Sequence, residues 1–262
     1  MVRAEFARRL AQFPETFSVE SNRVALDESL ADFEQRSGAV AEVLRDIAEE
    51  GEIKGWRGEL YPVATSFTAP PLLQMERAAV PRFGVRAYGV HMNGYIGDGE
   101  TIEMWIGRRA RDKQTFPGKL DNMVAGGQPI GIGLKENLIK ESAEEASIPA
   151  SLAARARPVG AVTYCAQSDE GLKPDVQFCY DLRLPEEFVP VNTDGEIESF
   201  ELWPIEKVMD TVAETEEFKF NCNLVIIDFL VRHGLIAPDH PDYVEIAHGL
   251  RRFHGIFEIG PK

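Results

Sequence analysis

The sequence contains three glutamates whose spacing would let them act together on one substrate: Glu141, Glu144 and Glu145. They lie in the segment AGGQPIGIGLKENLIKESAEEASIP, residues 125–149, and Lys140 stands immediately before the first of them. Helix positions three and four apart share a face, so a helix here would point all three carboxylates into one volume. Because one lysine cannot neutralise three carboxylates, the cluster predicts a divalent cation, and oxygen ligands favour Mg²⁺ or Mn²⁺ over zinc. A solvated acidic helix face is the alternative interpretation.

Two adjacent glycines and a basic segment provide candidate contacts for phosphate. The backbone N–H groups of Gly126 and Gly127 could approach phosphate oxygens closely, because glycine has no Cβ in the way. Residues 106–119 carry five basic side chains against one acidic side chain, in a chain whose net charge is −15. An anionic substrate could use such a patch, although a solvated loop is the alternative. The candidate substrate contacts within it are Arg108, Arg109 and Lys113.

Acidic residues concentrate later in the chain, where they provide candidates for a general base. Residues 186–218 hold eleven acidic side chains and a single basic one, Lys207. Glu196 and Glu198 lie in this stretch, before a predicted strand at 199–204, and either could accept a proton during hydrolysis. Solvated loop charges are the alternative interpretation, in which case a glutamate of the first cluster would be the base.

The elements that must position these residues alternate irregularly between strand and helix patterns. Two apolar runs, FGVRAYGVHMNGYI and TIEMWIGRR, flank the turn signal GDGE and predict a hairpin. A helix is predicted from about Lys135 to Ala146, after a strand-like run that ends in the two glycines. Further strands are predicted at residues 158–166, 175–184 and 199–204. Because a helix does not follow every strand, the pattern indicates a mixed α/β domain rather than βαβ repeats.

Both ends of the chain are predicted to add helices to this domain. Apolar residues recur at helix spacing over residues 39–50, and a shorter helix is predicted before them, over residues 29–36. An extended stretch follows at residues 56–76, so residues 1–80 are predicted to form a small N-terminal α/β unit and residues 81–262 the main domain. The C-terminal helices are predicted at Ile205 to Ala213, Phe220 to His233 and Tyr243 to Phe253.

Composition excludes several classes of protein. A hydrophobic fraction of 44% is that of a globular chain, and the excess of 43 acidic over 28 basic residues argues against a nucleic-acid partner. Three cysteines are an odd number without metal-ligand spacing, which disfavours a disulfide framework or a zinc module. No apolar run approaches the ~18–20 residues of a membrane span. The chain is therefore expected to act in the cytoplasm, away from membranes.

The segment at residues 125–149 resembles the Nudix box, G-x5-E-x7-R-E-U-x-E-E-x-G-U, in which U is a bulky aliphatic residue. Gly126 falls on the leading glycine, and Glu141, Glu144 and Glu145 fall on three of the four glutamates without a gap. The first glutamate, the arginine, the aliphatic residue and the late glycine of the pattern are replaced here by Ile132, Lys140, Ser142 and Ser147. In the Nudix family the first glutamate of the box mainly stabilises the loop before the helix. Lys140 could still orient Glu141 by charge, although a lysine lacks the planar guanidinium with which arginine makes two hydrogen bonds to a carboxylate.

Other segments resemble one Nudix subgroup, which is related to thiamine diphosphate metabolism. They include ERAAVPRFGVRAYGVHMNGY, YCAQSDEGLKPDVQFCYDL and EFKFNCNLVIIDFLVRHG, at residues 76–95, 164–182 and 217–234. The subgroup itself carries KE..EEAS in place of RE..EE.G, as this sequence does. In fungi this module is fused to a thiamine pyrophosphokinase, and in plants and bacteria it stands alone.

The resemblance implies a Nudix α/β/α sandwich with a mixed sheet over residues 81–262 and hydrolysis of a phosphoanhydride that depends on Mg²⁺ or Mn²⁺. It implies damaged, oxidised thiamine diphosphate as the leading substrate, hydrolysed to the monophosphate and phosphate. Oxidised nucleoside diphosphates or ADP-ribose-like compounds are the alternative substrates, and a non-catalytic sensor of diphosphate ligands is the alternative class. Since Nudix enzymes are often dimers, the resemblance also suggests a homodimer.

Overall fold

The computed structural model describes residues 1–113, 115–193, 195–252 and 257–258. Their helices are α1 (Ala4–Leu10), α2 (Phe33–Glu49), α3 (Val80–Phe83), α4 (Leu134–Ala146), α5 (Ala150–Ala153), α6 (Ile205–Glu214), α7 (Phe220–Arg232) and α8 (Tyr243–Gly249). Their strands are β1 (Phe17–Val19), β2 (Val24–Leu26), β3 (Leu60–Val63), β4 (Leu73–Glu76), β5 (Tyr88–Ile96), β6 (Glu103–Arg109), β7 (Leu120–Asp121), β8 (Val124–Gly127), β9 (Arg157–Thr163), β10 (Ala166–Ser168), β11 (Gly171–Lys173), β12 (Val176–Arg183), β13 (Ile197–Pro204) and β14 (Phe257–Glu258). Two single-turn 3₁₀ helices lie at Arg77–Ala79 and Gly99–Thr101.

The central sheet is mixed, as the sequence predicts. Its long strands follow the order β13-β6-β5-β12-β9, while β7 pairs with β6 and β8 pairs with β5. Strands β5 and β12 run parallel, whereas the other neighbouring pairs are antiparallel. The predicted hairpin is confirmed, because β5 and β6 are paired in the register Tyr95↔Met104. This topology places β8, which ends in the two glycines, beside the middle strand of the sheet.

Helices cover both faces of this sheet. Val90 of β5 packs in one buried cluster with Leu138 of α4, whereas Ile106 of β6 packs in another with Phe229 of α7. Successive strand residues point to opposite faces, so apolar side chains along the same strands supply both cores. The predicted α/β/α sandwich is therefore confirmed, with α4 on one face and α6 and α7 on the other.

The N-terminal residues have a hydrophobic cluster of their own. It joins Leu10 of α1 and Leu44 of α2 to Tyr61 and Met75 of the β3-β4 hairpin, and it continues to Val80. The separate core agrees with an N-terminal unit, although the boundary at residue 80 stays a prediction. The same hairpin sends Tyr61 towards the main domain, where its hydroxyl lies against Gly127.

The prediction of two helices over residues 29–36 and 39–50 is wrong, because the structure has a single helix there, α2, which runs from Phe33 to Glu49. Asp32 caps it by accepting a hydrogen bond from the Gln35 backbone N–H at 2.8 Å. The helix then continues through Gly38, where an interior glycine costs only about 1 kcal/mol, and packing of its buried face outweighs that loss.

The C-terminal helices follow the predictions closely at their starts. Helix α8 ends earlier than predicted, at Gly249, and the predicted end at Phe253 lies outside the described residues. Trp105, Trp203, Cys165 and Cys179 are buried. Within the described part of the chain, none of the helices has both the length and the apolarity needed to cross a bilayer.

Candidate active site

One large cavity of about 1100 Å³ brings most of the predicted site residues together. Its walls come from the end of β8, the helix α4, the loop after β6 and the N-terminal hairpin. The predicted site residues that line it are Gly126, Gly127, Lys140, Glu141, Glu144, Glu145, Arg109, Lys113 and Glu196. Arg108 and Glu198 are not among its lining residues.

The three glutamates differ in how α4 presents them. Glu145 is only 5% exposed, and one of its carboxylate oxygens accepts a hydrogen bond from the Ala125 backbone N–H at 2.8 Å. Glu141 lies against Gly126 so closely that a Cβ there would collide with its carboxyl group. Burial raises the pKa of both carboxyls, that of Glu145 well above its usual range. Glu144 is half-exposed at the mouth of the cavity.

Lys140 forms the only ion pairs with this cluster within the described residues. Its Nζ lies 2.6 Å from a Glu144 oxygen and 3.1 Å from a Glu141 oxygen. Burial works against the charged lysine, but the hydrogen bonds to Glu144 and Glu141 outweigh it and raise its pKa. One ammonium thus faces two carboxylates, and Glu145 has only a backbone partner.

The donor set fits a hard divalent cation. Carboxylate oxygens are the ligands that Mg²⁺ and Mn²⁺ prefer, and two of the three carboxyls are desolvated, which makes a nearby positive charge favourable. The residues that would hold such an ion are Glu141, Glu144 and Glu145.

A second group of potential ligands, His91, Asp121 and Cys222, is buried and lies close together. Burial opposes the charge of Asp121, but Lys219 at 3.6 Å and Arg109 at 2.9 Å hold its pKa at about 2. Burial lowers the pKa of His91 to about 4 and raises that of the Cys222 thiol, so both are neutral at pH 7. The one carboxylate of this group is thus already paired to two cations, unlike the carboxylates of α4, which share one lysine.

Two amide side chains fix the loop between β8 and α4. Gln128 donates to the Ile132 carbonyl at 2.6 Å, and Asn137 donates to the Gly127 carbonyl at 2.7 Å. Gln128 therefore holds the loop at Ile132, the position where the Nudix box that this segment resembles has its first glutamate. Neither amide is among the site residues predicted from the sequence. Asn137 carries a usable signal, since it is a polar residue on the buried side of an amphipathic helix.

The other departures from the box have local explanations. Ser142 is buried, and its hydroxyl donates to the Leu138 carbonyl at 2.6 Å, which satisfies it within α4. Ser147 ends α4 in the left-handed conformation with φ 54°, the conformation that glycine adopts most easily. Its hydroxyl donates to the Val191 carbonyl at 2.7 Å, so the serine offsets part of the backbone strain with a hydrogen bond.

The basic segment divides into residues with different surroundings. Arg109 is buried, pairs with Asp121 and donates to the carbonyls of Thr115 and Phe116 at 2.9 and 3.2 Å. Its guanidinium therefore holds the loop in shape. Arg108 donates to the Gly118 carbonyl at 3.0 Å, away from the cavity. Of the three predicted substrate contacts, Arg109 and Lys113 line the cavity, and Lys113 pairs there with Glu196 at 2.5 Å instead of with the loop carbonyls.

The two outside candidates for a general base are also separated. Glu196 lines the cavity, where Lys113 lies 2.5 Å and Arg57 3.4 Å from its carboxylate. Burial would raise its pKa, but these cations outweigh burial and lower it. Glu198 is half-exposed and lies 3.6 Å from Arg111, away from the cavity.

The N-terminal residues supply a wall of the cavity that no sequence pattern predicts. Tyr61 lies where a Cβ of Gly127 would be, and the Arg77 guanidinium lies 5.8 Å from the centre of its ring. Arg77 also pairs with Glu59 at 2.7 Å. No local pattern marks these residues, because only the docking of the hairpin brings them to the glycines.

Comparisons with known proteins agree with this geometry. The family described as a domain of unknown function (DUF4743) matches residues 1–87. Nudix hydrolase 20, chloroplastic, of Arabidopsis thaliana is 46% identical over 260 residues, which cover 95% of this chain and 69% of that protein. Nudix hydrolase 24, chloroplastic, of the same plant is 48% identical over 249 residues, which cover 94% of this chain and 68% of that protein.

A solved structure shares the fold. DR0079 from Deinococcus radiodurans matches with a TM-score of 0.50 and 20% identity, over 64% of this chain and 97% of that chain. This similarity concerns the fold alone, whereas the identity to the two plant proteins extends over most of each sequence. On that identity, the chain belongs to the Nudix hydrolases, a family of enzymes that generally depend on a divalent metal.

Proposed function

We propose that this enzyme hydrolyses a phosphoanhydride in a small organic diphosphate, and that its preferred substrate is a damaged, oxidised thiamine diphosphate. The observation that carries the proposal is the placement of three glutamates and two glycines on one cavity wall. The products would be the organic monophosphate and inorganic phosphate. The thiamine assignment rests on the resemblance of residues 76–234 to the subgroup related to thiamine diphosphate.

The proposed chemistry depends on neutralising the diphosphate. A divalent cation, when bound, would offset the negative charge of the phosphate oxygens and lower the pKa of a water molecule that it binds. Glu141, Glu144 and Glu145 would hold it, and the Ala125 N–H fixes one oxygen of Glu145. The N–H groups of Gly126 and Gly127 lie at the same wall and would donate to phosphate. The oxygen of water attacks phosphorus, the anhydride P–O bond breaks, and the proton passes to a glutamate.

We assign the general base to a glutamate of α4 rather than to Glu196. Both cations beside Glu196 favour its ionised form and weaken it as a proton acceptor. Its proposed task is to hold Lys113 and Arg57 at the cavity, where they would face the negative charge of the substrate. Arg108 and Arg109 are proposed to shape the adjoining loop.

A second candidate substrate is an oxidised nucleoside diphosphate or an ADP-ribose-like compound. The observation in its favour is the presence of Phe116 and Phe220 on the cavity wall, because aromatic rings stack on purines as well as on other heterocycles. Retention of the three carboxylates argues against the non-catalytic sensor, which needs no metal ligands.

The test is product analysis over a panel of diphosphates with Mg²⁺ or Mn²⁺. We expect oxidised thiamine diphosphate to have a higher kcat/KM than ADP-ribose and 8-oxo-dGDP. A clear preference for a nucleotide would refute the thiamine assignment and leave hydrolysis intact. No product from any diphosphate, with either metal, would refute the proposed function.

Location and assembly are proposed separately. We propose a cytoplasmic homodimer that needs neither nucleic acid nor a membrane. The two plant relatives are named chloroplastic, so an organelle is the alternative location. Cell fractionation and the solution mass of the purified chain would decide these two points.

A further inference from the structure

The cavity extends beyond the glutamates to a group of side chains with no part in the hydrolysis described above. Gly127 of β8 lies opposite Gly89 of β5, and Gly89 lies opposite Gln177 of β12. Asp175 precedes Gln177 by two residues, so strand spacings place it on the order of 10 Å from Gly127. If the diphosphate of a substrate lies at Gly126 and Gly127, a linker of this length would place the organic group of the substrate beside Asp175.

Asp175 is a desolvated carboxyl that lines the cavity, where burial raises its pKa and the charges of Lys173 and Arg77 only partly oppose that rise. The Tyr164 hydroxyl donates to it at 3.1 Å, and the backbone N–H of Ala87 is its other donor. The nearby Lys173 pairs with Glu170 instead, at 2.9 Å. In the part of the chain that the structure describes, no lysine or arginine forms an ion pair with Asp175. Since a carboxylate accepts about four hydrogen bonds, Asp175 keeps acceptor capacity for a ligand.

A network of amides fixes this carboxyl in place. Gln177 donates to the Tyr164 hydroxyl oxygen at 3.0 Å, and Asn221 donates to the same oxygen at 3.5 Å. Because both amides donate, the hydroxyl proton of Tyr164 is directed at Asp175. Gln177 itself lies across Gly89, where a Cβ would collide with its amide oxygen. The orientation of Asp175 is therefore set before any ligand binds.

Aromatic rings surround the same part of the cavity. The Phe220 ring lies 5.0 Å from that of Tyr164 in an edge-to-face arrangement, and the Phe116 ring lies 5.9 Å from that of Phe220. Phe116 has φ 51°, which is uncommon for a residue with a side chain, and Arg109 holds its carbonyl. A strained backbone thus presents an aromatic ring to the cavity.

We propose that Asp175, Tyr164, Phe220 and Phe116 form the subsite for the organic group of the substrate, and that this group is a planar nitrogen heterocycle that donates an N–H hydrogen bond or presents positive charge to Asp175. The proposal rests on the proposed function, which places the diphosphate at the glycines. The rings supply faces for stacking, and Asp175 selects for a donor. A neutral alkyl group would leave the buried carboxyl with only its donors Tyr164 and Ala87 and its remaining acceptor sites unfilled, which disfavours binding of that group.

The test compares three diphosphate esters: one with an amino-substituted heterocycle, its analogue without the amino group, and a simple alkyl diphosphate. Asp175→Asn keeps the shape of the side chain and removes its charge, while Asp169→Asn changes an exposed aspartate outside the cavity and serves as the matched control. We expect Asp175→Asn to raise KM about tenfold or more for the amino heterocycle, with kcat changed less than about threefold. The alkyl ester should be unaffected. Equal effects on all three esters, or none, would overturn the proposal.

Two further measurements keep the proposal testable. Phe220→Leu should raise KM for both ring-bearing esters and not for the alkyl ester, and an equal rise for all three would remove Phe220 from the subsite. Calorimetry with the amino-heterocycle monophosphate in chelator tests the contact without turnover, and we expect about tenfold weaker binding by Asp175→Asn. Equal binding by both proteins would overturn the subsite. Weaker binding by the variant, in an enzyme that hydrolyses no diphosphate, would refute only the proposed hydrolysis.

Discussion

The carboxyl group of Glu145 is buried, and its one hydrogen-bond donor in the described residues is the Ala125 backbone N–H. The Ala125 N–H lowers the energy of the charged form, but burial has the larger effect and raises the pKa of the carboxyl. A nearby divalent cation would reverse that balance. Glu144, in contrast, is half-exposed and already paired with Lys140. Neighbouring glutamates of one helix therefore differ in how strongly a metal would change their energies.

Glu145→Gln keeps the shape of the side chain and removes its charge. We expect turnover to fall on the order of 10²-fold or more, because the proposed metal site would lose one of its three carboxylates while the hydrogen bond from Ala125 can persist. Glu136→Gln is the matched control, since it changes an exposed glutamate of the same helix. Steady-state kinetics of the folded variants measures the effect. Unchanged turnover for Glu145→Gln, or full activity in excess chelator, would contradict the assignment.

Among the elements, the loop between β6 and β7 shows how one basic segment serves two purposes. Arg109 points inward to Asp121 and to loop carbonyls, whereas Lys113 points to the cavity beside Glu196. The sequence presents these residues as one positive patch. The alternation of the strand and the turn after it separate them.

Substitutions in this loop should divide accordingly. Lys113→Ala is expected to raise KM for a diphosphate several-fold, less so at high salt, because the contact is electrostatic. Arg109→Met is expected to lower the free energy of unfolding by about 3–5 kcal/mol, since it leaves Asp121 buried and short of one of its partners. Kinetics at two ionic strengths and urea unfolding measure the two effects. If Lys113→Ala has the KM of the wild type at both ionic strengths, Lys113 does not contact the substrate.

The contact between β8 and the N-terminal hairpin is a second feature at this scale. Gly127→Ala would place a methyl group where the Tyr61 hydroxyl lies, so we expect the hairpin to shift and kcat/KM to fall about tenfold or more. Gly38→Ala is the matched control, because its Cβ would meet no atom within 4 Å, and it should stabilise α2 by about 0.5–1 kcal/mol. Activity and thermal unfolding of both variants test this. Wild-type kcat/KM for Gly127→Ala would show that the hairpin does not shape the site.

For the molecule as a whole, ion pairs join α7 to the sheet on the side away from α4. Arg232 pairs with Asp181 of β12 at 2.6 Å and with Asp228 of its own helix at 2.7 Å, and Arg251 also pairs with Asp228. Both aspartates are buried. Charges held this way contribute to stability mainly because losing one partner leaves the other desolvated.

Arg232→Met tests that network. We expect it to lower the free energy of unfolding by about 3–5 kcal/mol, because Asp181 would keep its buried charge without an arginine. Arg8→Met, at an exposed position, is the matched control and should change stability by less than about 0.5 kcal/mol. Urea unfolding measures both. A loss below 1 kcal/mol for Arg232→Met would mean that Asp181 becomes protonated or hydrated at little cost.

The sequence by itself determined the features that depend on local periodicity. The spacing of Glu141, Glu144 and Glu145 and the turn signal between β5 and β6 both act within a few residues, so α4 and the hairpin could be predicted. The division of α2 into two helices was wrong because local propensity at Gly38 does not include the packing energy of the whole helix.

Only the tertiary structure decided which other residues share the cavity with these glutamates. Tyr61 and Asp175 reach it from a hairpin and from the residue before β12, far apart in the chain, and Arg109 lines the cavity while its guanidinium pairs with Asp121. Their positions depend on strand pairing and domain packing between residues distant in sequence, for which a single sequence carries no periodic signal. The charge pattern marked Arg108, Arg109 and Lys113 alike, and burial, which is a property of the folded molecule, separated them.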